Sequence, residues 1–344
     1  MEKNELARAR VIDLHAHVVI AQTMGAAGAF GPYIGQHPDG MPFFQVGANY
    51  RLDGVRYVGS PFMDVELRLR RMTERGIDFQ VLSPNPLTYF HFIPEADAIR
   101  YCQVHNDAVA AIVREYPQRL AAFAAVPLQS PKAAAGELRR AVTELGLVGA
   151  AFGTDSHLPL DAGALDVLYD EAVRLNVPLS IHPGPAGIDG PAGDPALKRF
   201  DLDIIAGFAA QETLAVATLI YGGVLDRHPK LDILFSHGGG ATALLMGRMA
   251  KGARKRPWAP AALRPDGAFE ERLQRLWFDT HVDHPQVLEL LSAAVGRGHL
   301  VYGTNFAGWD EPDAPAPGAS SGGASHIAPD LADNARRLLR VAGA

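Results

Sequence analysis

Short apolar runs alternate with amphipathic stretches of helical length through almost the whole chain. Runs such as IDFQVLSP, LAAFAAVPL and LDILFS are nearly continuous in apolar residues, as parallel strands covered on both faces require. Eight strands are predicted, at residues 11–17, 77–84, 120–128, 147–153, 178–183, 231–238, 276–281 and 299–305. Between them lie helical patterns such as DVELRLRRMTERG, PEADAIRYCQVHNDAVAAIVREYP, KAAAGELRRAVTELG, LDAGALDVLYDEAVRLN, ETLAVATLIYGGVLDRHP and PQVLELLSAAVGRG. Several stop at Gly or Asn or ahead of Pro, the usual signals of a helix C-terminus. Eight βα alternations predict an α/β chain folded as a (β/α)8 TIM barrel. The rival is an open doubly wound sheet, but no G-x-G-x-x-G follows the first strand.

Two segments break the rhythm. Residues 18–63, rich in Gly, Pro and aromatics, form an extended loop insertion after the first strand, and residues 184–206 follow the fifth. Both leave the C-terminal face of a barrel, where βα loops build active sites. Residues 310–330 (DEPDAPAPGASSGGASHIAPD) read as a flexible segment before a last helix at 331–341. The chain of 344 residues is accordingly expected to be one barrel domain spanning 1–344, although length alone would also allow two domains.

Composition narrows the function. Hydrophobic residues make up 48%, which supports a packed core, and the single Cys (Cys102, in a helical pattern) excludes a disulfide framework and a thiolate-only metal site. With 32 Lys and Arg against 38 Asp and Glu, nothing marks a nucleic-acid partner. The N-terminal stretch lacks the pattern of a signal peptide, and no uninterrupted apolar run of about 18 residues occurs, so a cytoplasmic protein without a membrane partner is expected.

The 13 His are informative through their placement. His15 and His17 lie two apart near the end of the first strand, where i and i+2 share a face. His182 ends the fifth strand (LSIHPGP) and His237 the sixth (LFSHGGG). Four imidazoles at three strand ends suit one divalent metal with three imidazole ligands, plus a fourth His as acid or base. Asp279 and His281 end the seventh strand, where a structural hydrogen-bond role is expected, and His228, His299 and His326 read as surface or loop residues.

VIDLHAH, SIHPGP, SHGGGA and YGTNF together resemble the motif set of the amidohydrolase superfamily, in its amidohydrolase-2 branch. The similarity is best to the aminocarboxymuconate semialdehyde decarboxylases of that branch and extends from about Val11 to Trp309. It implies a metal-dependent non-oxidative decarboxylase of a small carboxylated aromatic or muconate-type substrate; the alternative on the same scaffold is a metal-dependent hydrolase or hydratase of a small ring or lactone. The resemblance makes His15, His17 and His182 ligands of zinc, or of manganese as in some members, and His237 the general base or polarising residue. Arg248 matches an Arg that reaches a neighbouring subunit's site to pair with substrate carboxylate, which implies a homodimer. Arg56 lies near a second carboxylate-binding position, and Phe90, His91 and Trp309 are candidates to line the pocket. The fourth strand (LVGAAFG) has no Lys for carboxylation, so one metal is expected.

The departure is Asn305. Family members carry Asp here, in a G-T-D or G-S-D context, completing the metal shell and aiding proton transfer; this chain has Gly303-Thr304-Asn305. Asn offers a neutral carbonyl but exchanges no proton near neutrality. Three readings stand: a natural divergence with altered chemistry, an engineered Asp→Asn substitution to trap a ligand, or replacement of the lost carboxylate by Asp310; a catalytically impaired variant is a further alternative for the function.

Overall fold

In a computed structural model of the chain, which describes residues 4–47, 50–282, 284–311 and 329–341, all eight apolar runs become parallel staves of one barrel. They are β1 (Ile12–Val18), β5 (Phe79–Pro84), β6 with β7 (Leu120–Ala122 and Ala124–Ala125), β8 (Ala150–Gly153), β9 (Leu179–His182), β10 (Ile233–Phe235), β11 (Trp277–Asp279) and β12 (Leu300–Val301). The third stave is interrupted only at Phe123, whose N–H turns to Leu82 O (2.8 Å) while that of Ala124 goes to Gly149 O (2.9 Å). The ring closes where Leu14 N donates to Tyr302 O (2.9 Å) and Phe306 N to His15 O (3.1 Å). These bonds join the edges of the two parallel sheets, which is the gain from closing a sheet into a ring.

Around the staves run α2 (Val65–Glu74), α3 (Glu95–Glu115), α4 (Pro131–Thr143), α5 (Asp166–Leu175), α7 (Gly207–Tyr221), α9 (Thr242–Lys255) and α11 (Pro285–Val295). Short helices α6 (Leu202–Ile205), α8 (Val224–Arg227) and α10 (Ala268–Leu273) fill connections. The N-terminal end of the barrel is plugged by α1 (Asn4–Arg8) and α12 (Pro329–Leu338): Leu6, Ala335 and Leu338 pack with the inward residues Ile12, Phe79, Phe123 and Trp277. The outward residues Phe152, Ile181, Phe235 and Phe278 pack against the helices in a separate layer.

The insertion after β1 is more than a loop. It holds an antiparallel meander of β2 (Tyr33–Gln36), β3 (Pro42–Val46) and β4 (Tyr50–Asp53). The first turn carries Asp39-Gly40, with Gly40 at φ +85°, a conformation glycine adopts at no steric cost. Phe44 and Val46 bury fully against Ala27, Tyr57 and Ile188, and Cys102 packs in the same cluster. The 310–330 segment, His326 included, falls almost wholly outside the described residues. Residues Leu202–Tyr221 have the length and hydropathy (1.5) of a membrane span, yet this stretch breaks into α6 and α7, and α7 buries Glu212 against the barrel.

Candidate metal centre and active site

β1 positions its two imidazoles through an irregularity. Ile12 and Leu14 point into the barrel, so strict alternation would aim His15 and His17 at the helices. The register with β5 instead slips between Asp13 and Ala16, and Leu14, His15 and His17 all line one interior cavity with Ser83, Ser180, His182, Ser236 and Asp279. A bulge re-aims side chains in this way at barrel rims. Behind it stands a buried polar chain: Asp13 accepts from Gln80 Nε2 (2.9 Å), Thr304 Oγ1 (2.7 Å) and His15 N (3.0 Å). Arg68 from α2, 1% exposed, donates to Gln80 Oε1 (2.9 Å), Pro61 O (3.0 Å) and the carbonyl of His17. Burial raises the Asp13 carboxyl to about 6 and lowers the Arg68 guanidinium to about 10.

Three imidazoles meet above this cavity. His15 Nε2 and His182 Nε2 each lie 3.2 Å from His17 Nε2. Two nitrogens bound at 2.0–2.1 Å to one tetrahedral ion would stand about 3.3 Å apart. Each opposite nitrogen is engaged by an acceptor: His15 Nδ1 donates to Asp279 Oδ2 (2.7 Å), His17 Nδ1 to Pro84 O (3.1 Å) and His182 Nδ1 to Pro183 O (2.6 Å). Those bonds set the tautomers, so three Nε2 lone pairs face one point with no donor between them. Burial, reinforced by neighbouring imidazoles, holds His15 and His182 well below the ordinary histidine range and His17 near 3, keeping all three neutral as metal ligands must be. The residues present therefore fit a divalent ion.

His237 adjoins them, its ring centroid 4.9 Å from that of His15 and 4.8 Å from that of His182. Its Nδ1 donates to Glu212 Oε1 (3.0 Å), which also accepts from Ser236 Oγ (2.5 Å). Burial opposes charge on His237, but Glu212, with Asp279 and Asp310, outweighs it and raises this imidazole to about 9. Glu212 is the functional residue that the strand-end pattern misses; its only sequence signal is one carboxylate inside the apolar helix GFAAQETLAVATLIY. The HGGG turn after His237 explains its own composition: Gly240 sits at φ +64°, and a Cβ there would lie 2.2 Å from Ala209 O. Gly303 has a comparable reason, since a Cβ would meet His15 Cβ at 2.8 Å.

Asp279 ties the strand ends together, accepting from His15 Nδ1, Gly238 N (3.0 Å) and His281 N (3.1 Å). His281 Nε2 in turn donates to Asp310 Oδ2 (3.2 Å), and Asn305 Nδ2 donates to Asp310 Oδ1 (2.5 Å).

The remaining candidates scatter. Phe90 is buried in the insertion cluster, edge-on to Tyr101; Tyr89 lines the histidine cavity, and Phe90 lines a second pocket with Tyr89, His91 and Gly184. His91 stacks on Tyr89 and accepts from Gly153 N (2.9 Å); Tyr89 Oη and His91 Nδ1 are buried without protein partners. Trp309 is 70% exposed, and Arg56 and Arg248 lie on the surface. His228 is buried rather than superficial, bound to Asp166 (2.9 Å) and Asp170 (3.0 Å).

Closed βα topology with His-x-His on the first stave and His on the fifth and sixth defines an amidohydrolase-type barrel. The chain belongs to the amidohydrolase family of the amidohydrolase-2 type, whose model matches residues 12–341. It is 29% identical over 262 residues to 2-amino-3-carboxymuconate-6-semialdehyde decarboxylase of Dictyostelium discoideum, covering 75% of this chain and 71% of that one. It is 37% identical over 195 residues to γ-resorcylate decarboxylase of Rhodococcus jostii (52% and 58% of the two chains). A 2-keto-4-carboxy-3-hexenedioate hydratase of a Sphingobium species is 28% identical over 254 residues (70% and 69%). The fold matches 5-carboxyvanillate decarboxylase of Sphingomonas paucimobilis with TM-score 0.75, 20% identity and coverage of 97% and 99%. It also matches a dihydroxybenzoic acid decarboxylase of a Polaromonas species, solved with bound manganese, with TM-score 0.69, 21% identity and 96% coverage of both chains.

Proposed function

We propose that this chain is a metal-dependent non-oxidative decarboxylase of a small aromatic or muconate-type carboxylate. The observation that carries this reading is the convergence of three Nε2 atoms, each with its Nδ1 bonded to an acceptor, beside a His237 whose own Nδ1 donates to the buried carboxylate of Glu212. His15, His17 and His182 would hold the ion, and three imidazoles favour zinc, with manganese as the alternative. The bound ion supplies positive charge that orients the substrate carboxylate and its adjacent oxygen. His237, with Nδ1 committed to Glu212, gives its other proton to the ring carbon bearing the carboxylate. The carbon–carbon bond then breaks, its electron pair returns to the ring, CO2 leaves and water reprotonates His237. Tyr89, which lines the cavity, has a buried hydroxyl without a protein partner that would meet a polar atom of the substrate. Asn305 is too far along the acidity scale to move protons itself and acts through hydrogen bonding.

The reading includes a cytoplasmic homodimer. On α9, Leu244 is 75% exposed one helical turn before Arg248, and both face away from the barrel, which suits delivery of Arg248 to a partner's site. The reading also takes Phe90, Trp309 and Arg56 as substrate contacts, Phe90 from a pocket it shares with Tyr89 and Trp309 and Arg56 from exposed positions.

The test is CO2 release from 2,6-dihydroxybenzoate, 5-carboxyvanillate and aminocarboxymuconate semialdehyde by enzyme loaded with Zn2+ or Mn2+. Turnover of any, abolished by His182→Ala, supports the reading. A second reading, hydration of an unsaturated keto acid, is favoured by the similarity to the hydratase, and loss of ultraviolet absorbance of such a substrate without CO2 would select it.

A further inference from the structure

Asn305 looks like a lost charge only when the end of β12 is read alone. The loop beyond it turns back sharply: Asn305 sits at φ +48°, which Asn tolerates, and Gly308 N donates to Asn305 O at 2.7 Å. Glu311 then anchors the loop to α2, 3.2 Å from Arg75 and 3.7 Å from Arg71. Between these two fixed points Asp310 is carried inward, where Asn305 holds one carboxylate oxygen and His281 the other. His237, His281 and Asp310 present atoms within 4.8 Å of one another, and so do His15, His182 and His237. One imidazole, His237, is therefore common to the two groups.

We infer that Asp310, delivered by this loop, supplies the carboxylate of the metal centre, and that Asn305 is the residue that holds it there. The inference rests on the reading of His15, His17 and His182 as ligands. Its physical reason is mutual exclusion. Asn305 donates to Asp310 at 2.5 Å; an Asp at 305 would set two carboxylates in that contact, where like charges cannot both ionise. An amide at 305 and a carboxylate at 310 are thus one device, and the anion has moved five residues along the chain. Three imidazoles and one carboxylate then form the protein's donor set, and an ion of five- or six-fold coordination keeps places beside them for substrate. The loss of a carboxylate at 305 would leave the site no less anionic.

The experiment is Mn2+ binding by the full chain, followed by electron paramagnetic resonance of free ion, together with the visible spectrum of the Co2+ form. Asp310→Asn is expected to weaken Mn2+ at least tenfold and to change the Co2+ spectrum. Asn305→Asp alone is expected to gain nothing, while the exchanged pair Asn305→Asp/Asp310→Asn returns affinity to within about threefold of the starting protein. The exchanged pair also serves if Asp310→Asn fails to fold, because it keeps one carboxylate and one amide in contact. Unchanged Mn2+ affinity in Asp310→Asn, or tighter binding in Asn305→Asp alone, overturns the inference. Its failure is separable from failure of the ligand reading: in the latter case His182→Ala, too, leaves Mn2+ binding unaltered, and both ideas fall.

Discussion

Replacing Glu212 by Gln isolates what the buried carboxylate does to His237. The amide is isosteric and keeps an oxygen for the Ser236 hydroxyl, but the charge 3.0 Å from His237 Nδ1 is gone. The raised position of His237, about 9 against an ordinary 6.5, corresponds to roughly 3 kcal/mol at ~1.4 kcal/mol per pH unit. Without Glu212 burial dominates, and the imidazole is expected to titrate at or below 6.5. At pH 7.5 its protonated fraction in metal-free protein then falls from nearly complete to about a tenth or less. A divalent ion on the neighbouring imidazoles repels the same proton, so the titration is read on metal-free protein, by NMR of the imidazole ring. The sign extends to stability. A group whose folded value is raised stabilises fully below its unfolded value, so the wild-type contribution is present below about pH 6.5 and is lost as pH rises toward 9. Urea midpoints of metal-free protein between pH 6.5 and 9.5 should show that decline in the wild type and a flatter course in Glu212→Gln. A titration still near 9 in the variant would refute the assignment of Glu212 as its cause.

Asp279→Asn should weaken Mn2+ binding about 10- to 100-fold in equilibrium dialysis, because an amide N–H set against His15 Nδ1–H favours the tautomer that removes the Nε2 lone pair; unchanged affinity would show that His15 does not depend on this partner. Arg68→Met should destabilise the fold by roughly 2–4 kcal/mol in urea denaturation, since Gln80 Oε1 and the carbonyls of Pro61 and His17 lose a buried donor; a loss under about 1 kcal/mol would mean water replaces it. Gly240→Ala should cost roughly 2–3 kcal/mol through its positive φ and the approach to Ala209 O, and wild-type thermal stability in this variant would contradict the geometry of the turn.

Much of the site was legible because it follows from local rules. Near-continuous apolar runs separated by amphipathic helices demand covered parallel strands, and a His followed by Gly or Pro at a strand end is poor core material. His15, His17, His182 and His237 converge as that pattern implies. Other features were not legible, each for a physical reason. Phe90 and Tyr89 are adjacent, and only the loop backbone, with Phe90 at φ +53°, sets Tyr89 in the histidine cavity while Phe90 packs in the insertion cluster and lines the pocket beside it. The meander of residues 33–53 hides behind Gly and Pro because its strands are short and only half-buried. His228 reads as superficial because its partners, Asp166 and Asp170, lie about sixty residues away in the chain.

The residue pattern was enough to establish the eight covered strands and the four imidazoles at the ends of three of them, since burial repeats every two or 3.6 residues and a His before Gly or Pro marks a strand end. Tertiary structure alone decided which way those imidazoles face, through the slip in β1 that strict alternation does not contain. It also decided their chemistry: Asp279 and Glu212 reach His15 and His237 across 264 and 25 residues, and a charge brought that close fixes a tautomer or a protonation state. Asn305 is the clearest case. In the sequence it is a missing carboxylate; in the folded loop it is a hydrogen-bond donor with Asp310 in its grasp, because a turn of five residues places an acid where the strand end has none.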